Sequence, residues 1–295
     1  MTMTQTHGMT AAAEVWRVND DESQATLLEG VYGDCEALRL SSAGQVLSAG
    51  EGLAGAVLAR KVPVLLDKLD GESFERLEAA SSGGVVAAVA LPVFDEAKLT
   101  GVAVIMFRGA PEMIGAVELW AGRRGRFELG LTEAHYAGLE RFGKVSRHVN
   151  FPMGSGLPGL VWQTAMPRVM SGLGQSREFL RSSGAETAGL TDGFGYPVIY
   201  RNELKAVMLW LSSGGSPLAR LHEVWRSGEA GVQRMSSVFA PGTEAWDANE
   251  VVARSARERR PVVFDDASVG GGWSGGIALP VLVHDRVSAV GVLAW

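Results

Sequence analysis

The side chains best suited to nucleophilic or metal chemistry in this 295-residue chain are one cysteine and five histidines. The histidines are His7, His135, His148, His222 and His284. No two of them lie at i, i+4 spacing and no cysteine pair accompanies them, so the ligand spacing of a zinc site is missing. The single Cys35 cannot cycle through an intramolecular disulfide. We therefore predict no metal centre and interpret Cys35 as a structural or incidental thiol rather than a nucleophile.

One glycine-rich stretch, "GEGLAG" at 50–55, has the composition of a phosphate-binding loop. It is not followed by the Lys-Ser/Thr pair of a P-loop. We interpret the glycines as the tight entry to a helix. Asp67, Asp265 and Asp266 follow short apolar runs, and we interpret them as turn residues.

A Glu-aliphatic-Trp triplet occurs three times, at 14–16, 118–120 and 223–225. Three further landmarks follow each triplet in the same order. They are a proline before a short apolar run (Pro63, Pro167, Pro261), a second proline (Pro92, Pro197, Pro280) and a final apolar strand-like run. The repetition predicts three copies of a unit of about 100 residues, the size of a domain. Each triplet tryptophan is interpreted as packing beneath the helices, with stacking on a ligand ring as the alternative.

Periodicity and turn residues within one copy predict the element order β-β-α-β-α-β-β. The fold class is α+β, with three tandem units that are each an antiparallel sheet with helices inserted on one face. We predict a disordered tail at 1–10 and units at 11–108, 113–213 and 218–295. The third unit is shortened, because Pro261 and Pro280 lie only 19 residues apart. Its stretch "DASVGGGWSGG" replaces the bridging helix with glycines.

The stretches "GEGLAGAVLARKVPVLLD" and "FPMGSGLPGLVWQTAMPRVM", with the "ALPVF" and "GYPVI" strands, resemble GAF domains. The resemblance covers the chain after about residue 11, with the third copy degenerate. It implies small-molecule or protein-interaction modules of signalling proteins, most of them without catalytic activity. Subfamily features are missing. Cys35 is followed by Glu36 instead of the His common in bilin-binding members, and a single cysteine does not suit the sulfoxide-reducing members. Lys68 and Phe74 lack the remaining residues of the cyclic-nucleotide pattern.

In GAF domains the bridging stretch typically covers the ligand pocket. The resemblance therefore implies pockets between the sheet and the bridges at 67–85 and 171–191, and none in the third unit. In the second unit the candidate ligand-binding residues are Ser171, Arg177 and Asp192. Arg177 would face an anionic ligand, or alternatively would be a solvated helix residue. In the first unit the candidates are Asp67 and Phe74.

Composition limits the partners and the compartment. The net charge is −6 and Lys and Arg are not clustered, which argues against a nucleic-acid surface. No apolar run approaches the roughly 20 residues that span a bilayer, and the first ten residues do not resemble a signal peptide. One cysteine suits a reducing compartment. We expect a cytoplasmic protein with no nucleic-acid or membrane partner.

The joints between units, "RGAPEM" and "SSGGSPLAR", are too short to hold the helices that usually flank GAF domains. One face of each sheet then needs another cover, because large exposed apolar patches are unfavourable. Three such faces can meet around a common centre, or the odd face can pair with a second chain across a two-fold axis. We expect the homodimer.

These observations predict a non-enzymatic sensor or scaffold in signal transduction, with an unknown small-molecule ligand or a protein partner and no assigned cofactor. Two alternatives remain. One is an enzyme related to the GAF-type free methionine sulfoxide reductases, and the other is a purely structural assembly protein.

Overall fold

The computed structural model describes residues 8–123, 125–215, 217–240, 243, 246–269 and 272–295. The first sheet contains β1 (Thr10–Val18), β2 (Gln24–Val31), β3 (Val46–Ser48), β4 (Val64–Leu66), β5 (Val85–Asp95) and β6 (Lys98–Arg108). Its helices are α1 (Glu36–Ser42), α2 (Gly52–Arg60) and α3 (Leu77–Ser82). The strands pair antiparallel in the order β3-β2-β1-β6-β5-β4.

The second sheet repeats this arrangement. Its strands are β7 (Gly115–Gly122), β8 (Glu128–Ala137), β9 (Asn150–Pro152), β10 (Arg168–Ser171), β11 (Leu190–Tyr200) and β12 (Glu203–Ser213). Its helices are α4 (Glu140–Ser146), α5 (Gly156–Thr164) and α6 (Ser182–Ala188). The order β10-β11-β12-β7-β8-β9 is the first order read backwards, so each strand has a counterpart in the first sheet.

The third sheet is shorter. It contains β13 (Leu221–Gly228), β14 (Gly231–Phe239), β15 (Val262–Phe264), β16 (Gly276–Val283) and β17 (Arg286–Ala294), with helices α7 (Asn249–Glu258) and α8 (Asp266–Val269). The order β14-β13-β17-β16-β15 matches the other two sheets without a counterpart of β3 among the described residues. The α+β class with antiparallel sheets follows directly from these pairings.

Three local predictions need correction. The helices α1 and α4 and the strands β3 and β9 were not predicted, since elements of seven and three residues are too short to show a periodic pattern. The third bridging stretch does contain a helix, although α8 has only four residues. The tail prediction is wrong for residues 8–10, because Met9 is buried and Thr10 begins β1. Residues 1–7 of the predicted tail lie outside the described residues.

The glycines that open α2 and α5 have the backbone role expected of them. Gly52 and Gly156 begin these helices with φ of 54° and 63°, a conformation that favours glycine. One turn later a second requirement appears. A Cβ on Gly55 would lie 2.2 Å from the carbonyl oxygen of Ser48, and a Cβ on Gly159 would lie 2.1 Å from that of Pro152. The helices therefore pack directly on the backbone of β3 and β9.

The three sheets meet around a common centre formed by β5, β11 and β16, which contact one another. One apolar core includes residues from all three strands, among them Phe94, Tyr196 and Val281. The Tyr196 hydroxyl donates to the carbonyl of Pro280 at 2.7 Å, so β11 is bonded to β16. The homodimer expectation depended on one uncovered sheet face. Because the three faces cover one another within one chain, that reason does not hold.

Candidate functional site

The glutamate of each repeated triplet is completely buried. Glu14, Glu118 and Glu223 are each 0% exposed. A β-bulge lies between the second and third residue of every triplet, and the tryptophan indole N–H donates to the carboxylate two residues before it. The bonds are 3.0, 3.0 and 2.7 Å long. The triplet recurs because the buried carboxylate and the indole satisfy each other.

Beside the second sheet a buried arginine neutralises this carboxylate. Arg181 donates from Nη1 to Oε1 of Glu118 at 2.6 Å and from Nη2 to Oε2 at 2.8 Å. The Tyr136 hydroxyl donates to Oε1 at 2.9 Å, and Ser146 accepts from Arg181 at 2.6 Å. Burial, with a further contribution from Glu118, raises the pKa of Tyr136. The result is a buried ion pair beneath the sheet in which both carboxylate oxygens of Glu118 and both terminal nitrogens of Arg181 are hydrogen-bonded, while Nε of Arg181 has no partner among the described residues.

The first sheet has the same cluster, in which Arg76 donates to Glu14 and Ser42 and the Tyr32 hydroxyl donates to Glu14. Sequence reasoning missed both arginines. The signal was available, because a Phe-x-Arg pattern (Phe74 to Arg76, Phe179 to Arg181) stands in both bridging stretches.

In the third sheet a different residue pairs with the buried glutamate. Its shortened bridge supplies no arginine, and Arg234 of β14 donates to Glu223 at 3.1 Å instead. Arg234 stands opposite Trp225, where the first two sheets have Leu27 and Leu131. Its side chain is 45% exposed. Burial raises the pKa of Glu223, while Trp225 and Arg234 oppose the shift. The third sheet keeps the charge pair although its arginine lies on a strand, whereas Arg76 and Arg181 lie in the bridging stretches. This indicates a structural role for the cluster.

The predicted pocket beneath the first bridge is filled. The space bordered by Trp16, Leu53, Phe74 and Arg76 is about 10 Å³, too small for any ligand larger than water. Phe74 is buried there as a packing residue. Asp67 is exposed, and its backbone carbonyl lies 3.2 Å from Nδ1 of His135 of the second sheet. The space between the first sheet and its bridge is therefore filled at this point, whereas a separate opening of about 590 Å³ is lined by Ser41, Gln45, Glu75 and Leu77.

The three candidates beside the second sheet are only partly brought together. Ser171 and Asp192 stand opposite each other on β10 and β11. Asp192 accepts from the Thr191 hydroxyl at 2.7 Å, and burial raises its pKa although that bond opposes the shift. Arg177 is exposed, and no ion pair or side-chain hydrogen bond joins it to either residue in the described part of the chain. Its arrangement matches that of a solvated residue.

A groove does lie beside the second sheet, but between two helices instead of beneath the bridge. The second-sheet groove, of about 460 Å³, separates α4 from α6 and is lined by Leu139, Phe142, Val145, Val149, Leu180, Arg181, Gly184 and their neighbours. Val145 and Leu180 are each 55% exposed. The corresponding positions beside the first sheet are Ser41 and Glu75, by alignment on the Phe-x-Arg pattern and the helix starts. Two positions that are polar beside the first sheet are therefore apolar and solvent-facing beside the second sheet.

A second opening, the inter-sheet cleft, has a volume of about 510 Å³ between the first and third sheets. Its lining includes Tyr32, Arg39, Arg108, Arg220, Asp265, Trp273 and Trp295. The third unit was expected to have no pocket, and that expectation is wrong because its bridging stretch forms one wall of this cleft. Cys35 lies behind the cleft, where the Arg108 guanidinium donates to its sulfur at 3.4 Å. Burial raises the pKa of the Cys35 thiol, although Arg108 opposes the shift.

Two kinds of feature are missing from the described residues. No group of three or more His, Cys, Asp or Glu side chains is arranged there to hold a metal ion. None of the described helices has the length and apolar character needed to cross a membrane.

No protein-family model and no curated protein matches the chain. Solved structures with partial similarity include a Staphylococcus aureus NreA protein mutated in its nitrate binding site, at 20% identity and TM-score 0.30 over 37% of this chain and 78% of that one. The GAF domain of a phosphoenolpyruvate-protein phosphotransferase from Coxiella burnetii matches at 20% identity and TM-score 0.28, over 32% and 55%. Free methionine-R-sulfoxide reductase from Neisseria meningitidis matches at 14% identity and TM-score 0.26, over 32% and 50%. These similarities do not distinguish a sensor from an enzyme.

Proposed function

We propose that this protein is a non-enzymatic sensor that binds a small apolar molecule in the second-sheet groove. The observation that carries the proposal is the exchange of polar for apolar side chains along this groove. Ser41 and Glu75 beside the first sheet correspond to Val145 and Leu180 here, and both are half exposed. Fully covering a valine or leucine contributes about 1.5–3 kcal/mol, so half of that is available at each position.

The groove is also connected to the buried ion pair of the second sheet, so that binding can change that pair. Arg181 lines it and bonds to the buried Glu118 of β7. A ligand that shifts α6 would therefore act on the ion pair at the centre of the sheet. The volume of about 460 Å³ lies within the usual range of ligand pockets, about 300–1,000 Å³.

The thiol supports binding over catalysis. A reactive cysteine needs an accessible thiolate, whereas Cys35 is buried and its pKa is raised. The enzyme alternative, related to the GAF-type sulfoxide reductases, would have to use this residue as its nucleophile. The scaffold alternative places an apolar segment of a partner protein in the same groove.

The test is titration of the full chain with a neutral apolar dye, Nile red, followed by its fluorescence. Gly184→Leu should weaken binding at least tenfold, because a Cβ at Gly184 already lies 3.3 Å from the Phe142 ring and a larger side chain fills the groove. Ala79→Leu, at the corresponding position of α3, is the matched control and should bind like wild type. Equal affinity of wild type and Gly184→Leu would overturn the groove as the ligand site. Native mass spectrometry of protein from its own host then separates a small molecule from a bound peptide.

A further inference from the structure

The third sheet contributes an arginine to the inter-sheet cleft, Arg220, at a position where the other two sheets have no charged residue. Arg220 precedes β13 by one residue, five positions before Trp225. The corresponding residues before Trp16 and Trp120 are Ala11 and Gly115, which are small and buried. The Arg220 guanidinium lies 5.2 Å from the ring centre of Trp273, so stacking fixes its position in the cleft.

Arg220 differs from the other arginines of the cleft in its partners. Arg108 forms an ion pair with Asp34, and Arg39 donates to Glu36. No ion pair of Arg220 occurs within the described residues. A guanidinium has five N–H donors in a planar fork that matches a carboxylate. Arg220 therefore offers an anionic group a site that the neighbouring acids do not occupy.

Two carboxylates on the third-sheet wall supply the opposite charge. Asp265 accepts from the backbone N–H and the hydroxyl of Ser268 at 3.0 and 2.7 Å. Asp266 accepts from the backbone N–H of Gly272 at 2.5 Å. These bonds use one oxygen of each carboxylate and hold it in place. The second oxygen of each stays available to a cationic group.

Part of the remaining lining is apolar, although the polar side chains of Thr10, Asp34, Arg39, Arg108 and Ser274 also line the cleft. Val31, Tyr32 and Trp295 are buried residues that line the cleft. The Tyr32 hydroxyl is already used by Glu14 at 3.0 Å. The cleft thus combines a fixed cation, two fixed anions and an aromatic surface.

We infer that the inter-sheet cleft binds a small zwitterion with the chemistry of a free amino acid. The carboxylate bonds to Arg220, the ammonium group bonds to Asp265 and Asp266, and the side chain packs on Tyr32 and Trp295. Arg220 forms no ion pair with either aspartate in the described structure, so a ligand that bridges them replaces water on both. This site is separate from the second-sheet groove and does not depend on the function proposed for that groove.

The experiment is calorimetric titration of the full chain with a panel of standard L-amino acids, one at a time. For the best binder, the N-acetyl derivative lacks the ammonium charge and the amide derivative lacks the carboxylate. Both should bind at least tenfold more weakly than the free amino acid, and so should Arg220→Gln and Asp265→Asn. Asparagine keeps the acceptor oxygen for Ser268, so Asp265→Asn tests charge with the turn preserved. Arg177→Gln and Gly184→Leu are controls and should leave amino acid binding unchanged.

Two results would overturn the inference. One is the absence of binding by every amino acid in the panel. The other is a blocked derivative that binds as well as the free amino acid, which would identify a simple anion or cation site instead. Circular dichroism of each variant checks that the sheets are intact.

Discussion

At the scale of single residues, Glu118 and Arg181 form an ion pair from which water is excluded, with side chains 0% and 2% exposed. Removing one partner of such a pair leaves the other charge buried and costs about 3–5 kcal/mol. We expect Glu118→Gln to lower the free energy of unfolding by about that amount in urea titrations. Glu223→Gln is the matched control. It should cost about 1 kcal/mol, because Arg234 can turn to solvent. Equal losses in the two variants would contradict the structural role of Arg181.

His222 makes stability depend on pH. It is buried on β13 beside the Phe194 ring, and burial lowers the pKa of His222 to about 4. The unfolded chain binds the proton near pH 6.5, so the folded state binds it less readily. The stabilisation is present above pH 6.5 and is lost as the pH falls toward 4.

We therefore expect the free energy of unfolding to fall by about 2 kcal/mol between pH 7 and pH 5 because of His222 alone. His222→Phe should remove that part of the pH dependence in urea titrations at the two pH values. His148→Gln is the control, since His148 is exposed. An unchanged pH dependence in His222→Phe would show that other groups cause it.

At the scale of elements, α5 lies directly on the backbone of β9, and Gly159 is the point of contact. Gly159→Ala places a Cβ about 2 Å from the Pro152 carbonyl oxygen, and relieving such overpacking costs about 1–3 kcal/mol. The third sheet offers the control. It has Ala253 at the corresponding position of α7, with no counterpart of β9 among its described strands.

We expect both exchanges to lower stability, but for different reasons. Gly159→Ala should destabilise by overpacking, whereas Ala253→Gly should cost only the helix propensity difference, about 1 kcal/mol. Thermal and urea unfolding measure both. A stabilising Gly159→Ala would mean that α5 does not rest on β9.

At the scale of the whole molecule, three polar contacts join the first sheet to the other two. Met9 donates its backbone N–H to Pro217, Glu133 accepts from the backbone of Leu65, and Arg260 forms an ion pair with Glu29. Together with the shared core of β5, β11 and β16, these contacts close the arrangement within one chain.

We therefore expect a monomer of about 31 kDa by light scattering over a range of micromolar concentrations. A sheet face that is already covered gains nothing from pairing with a second chain. Tyr196→Asp places a charge in the shared core and is the comparison variant. It should open the packing between the sheets, so that this variant associates or unfolds while the wild type stays monomeric. Twice the monomer mass for the wild type would restore the homodimer.

The sequence by itself determined the repeated order of the longer strands, the antiparallel pairing and the positions of the tryptophans, but not the three-residue strands β3 and β9. These features depend on local periodicity, turn residues and the spacing between landmarks. All three can be seen in the sequence without knowing how the units pack against one another. The glycines of α2 and α5 were interpreted correctly for the same reason. The unit boundaries at 11–108, 113–213 and 218–295 stay a prediction.

Only the tertiary structure decided which residues meet. Glu118 and Arg181 are 63 positions apart, and Arg220 shares a cleft with residues of the first sheet only because the three sheets close around one centre. Cavities depend on the fit of side chains from distant segments, so Phe74 could fill the predicted pocket while a cleft opened beside Asp265. Patterns along a strand show which face is buried. They do not show what covers it, because that depends on packing between faces far apart in the chain.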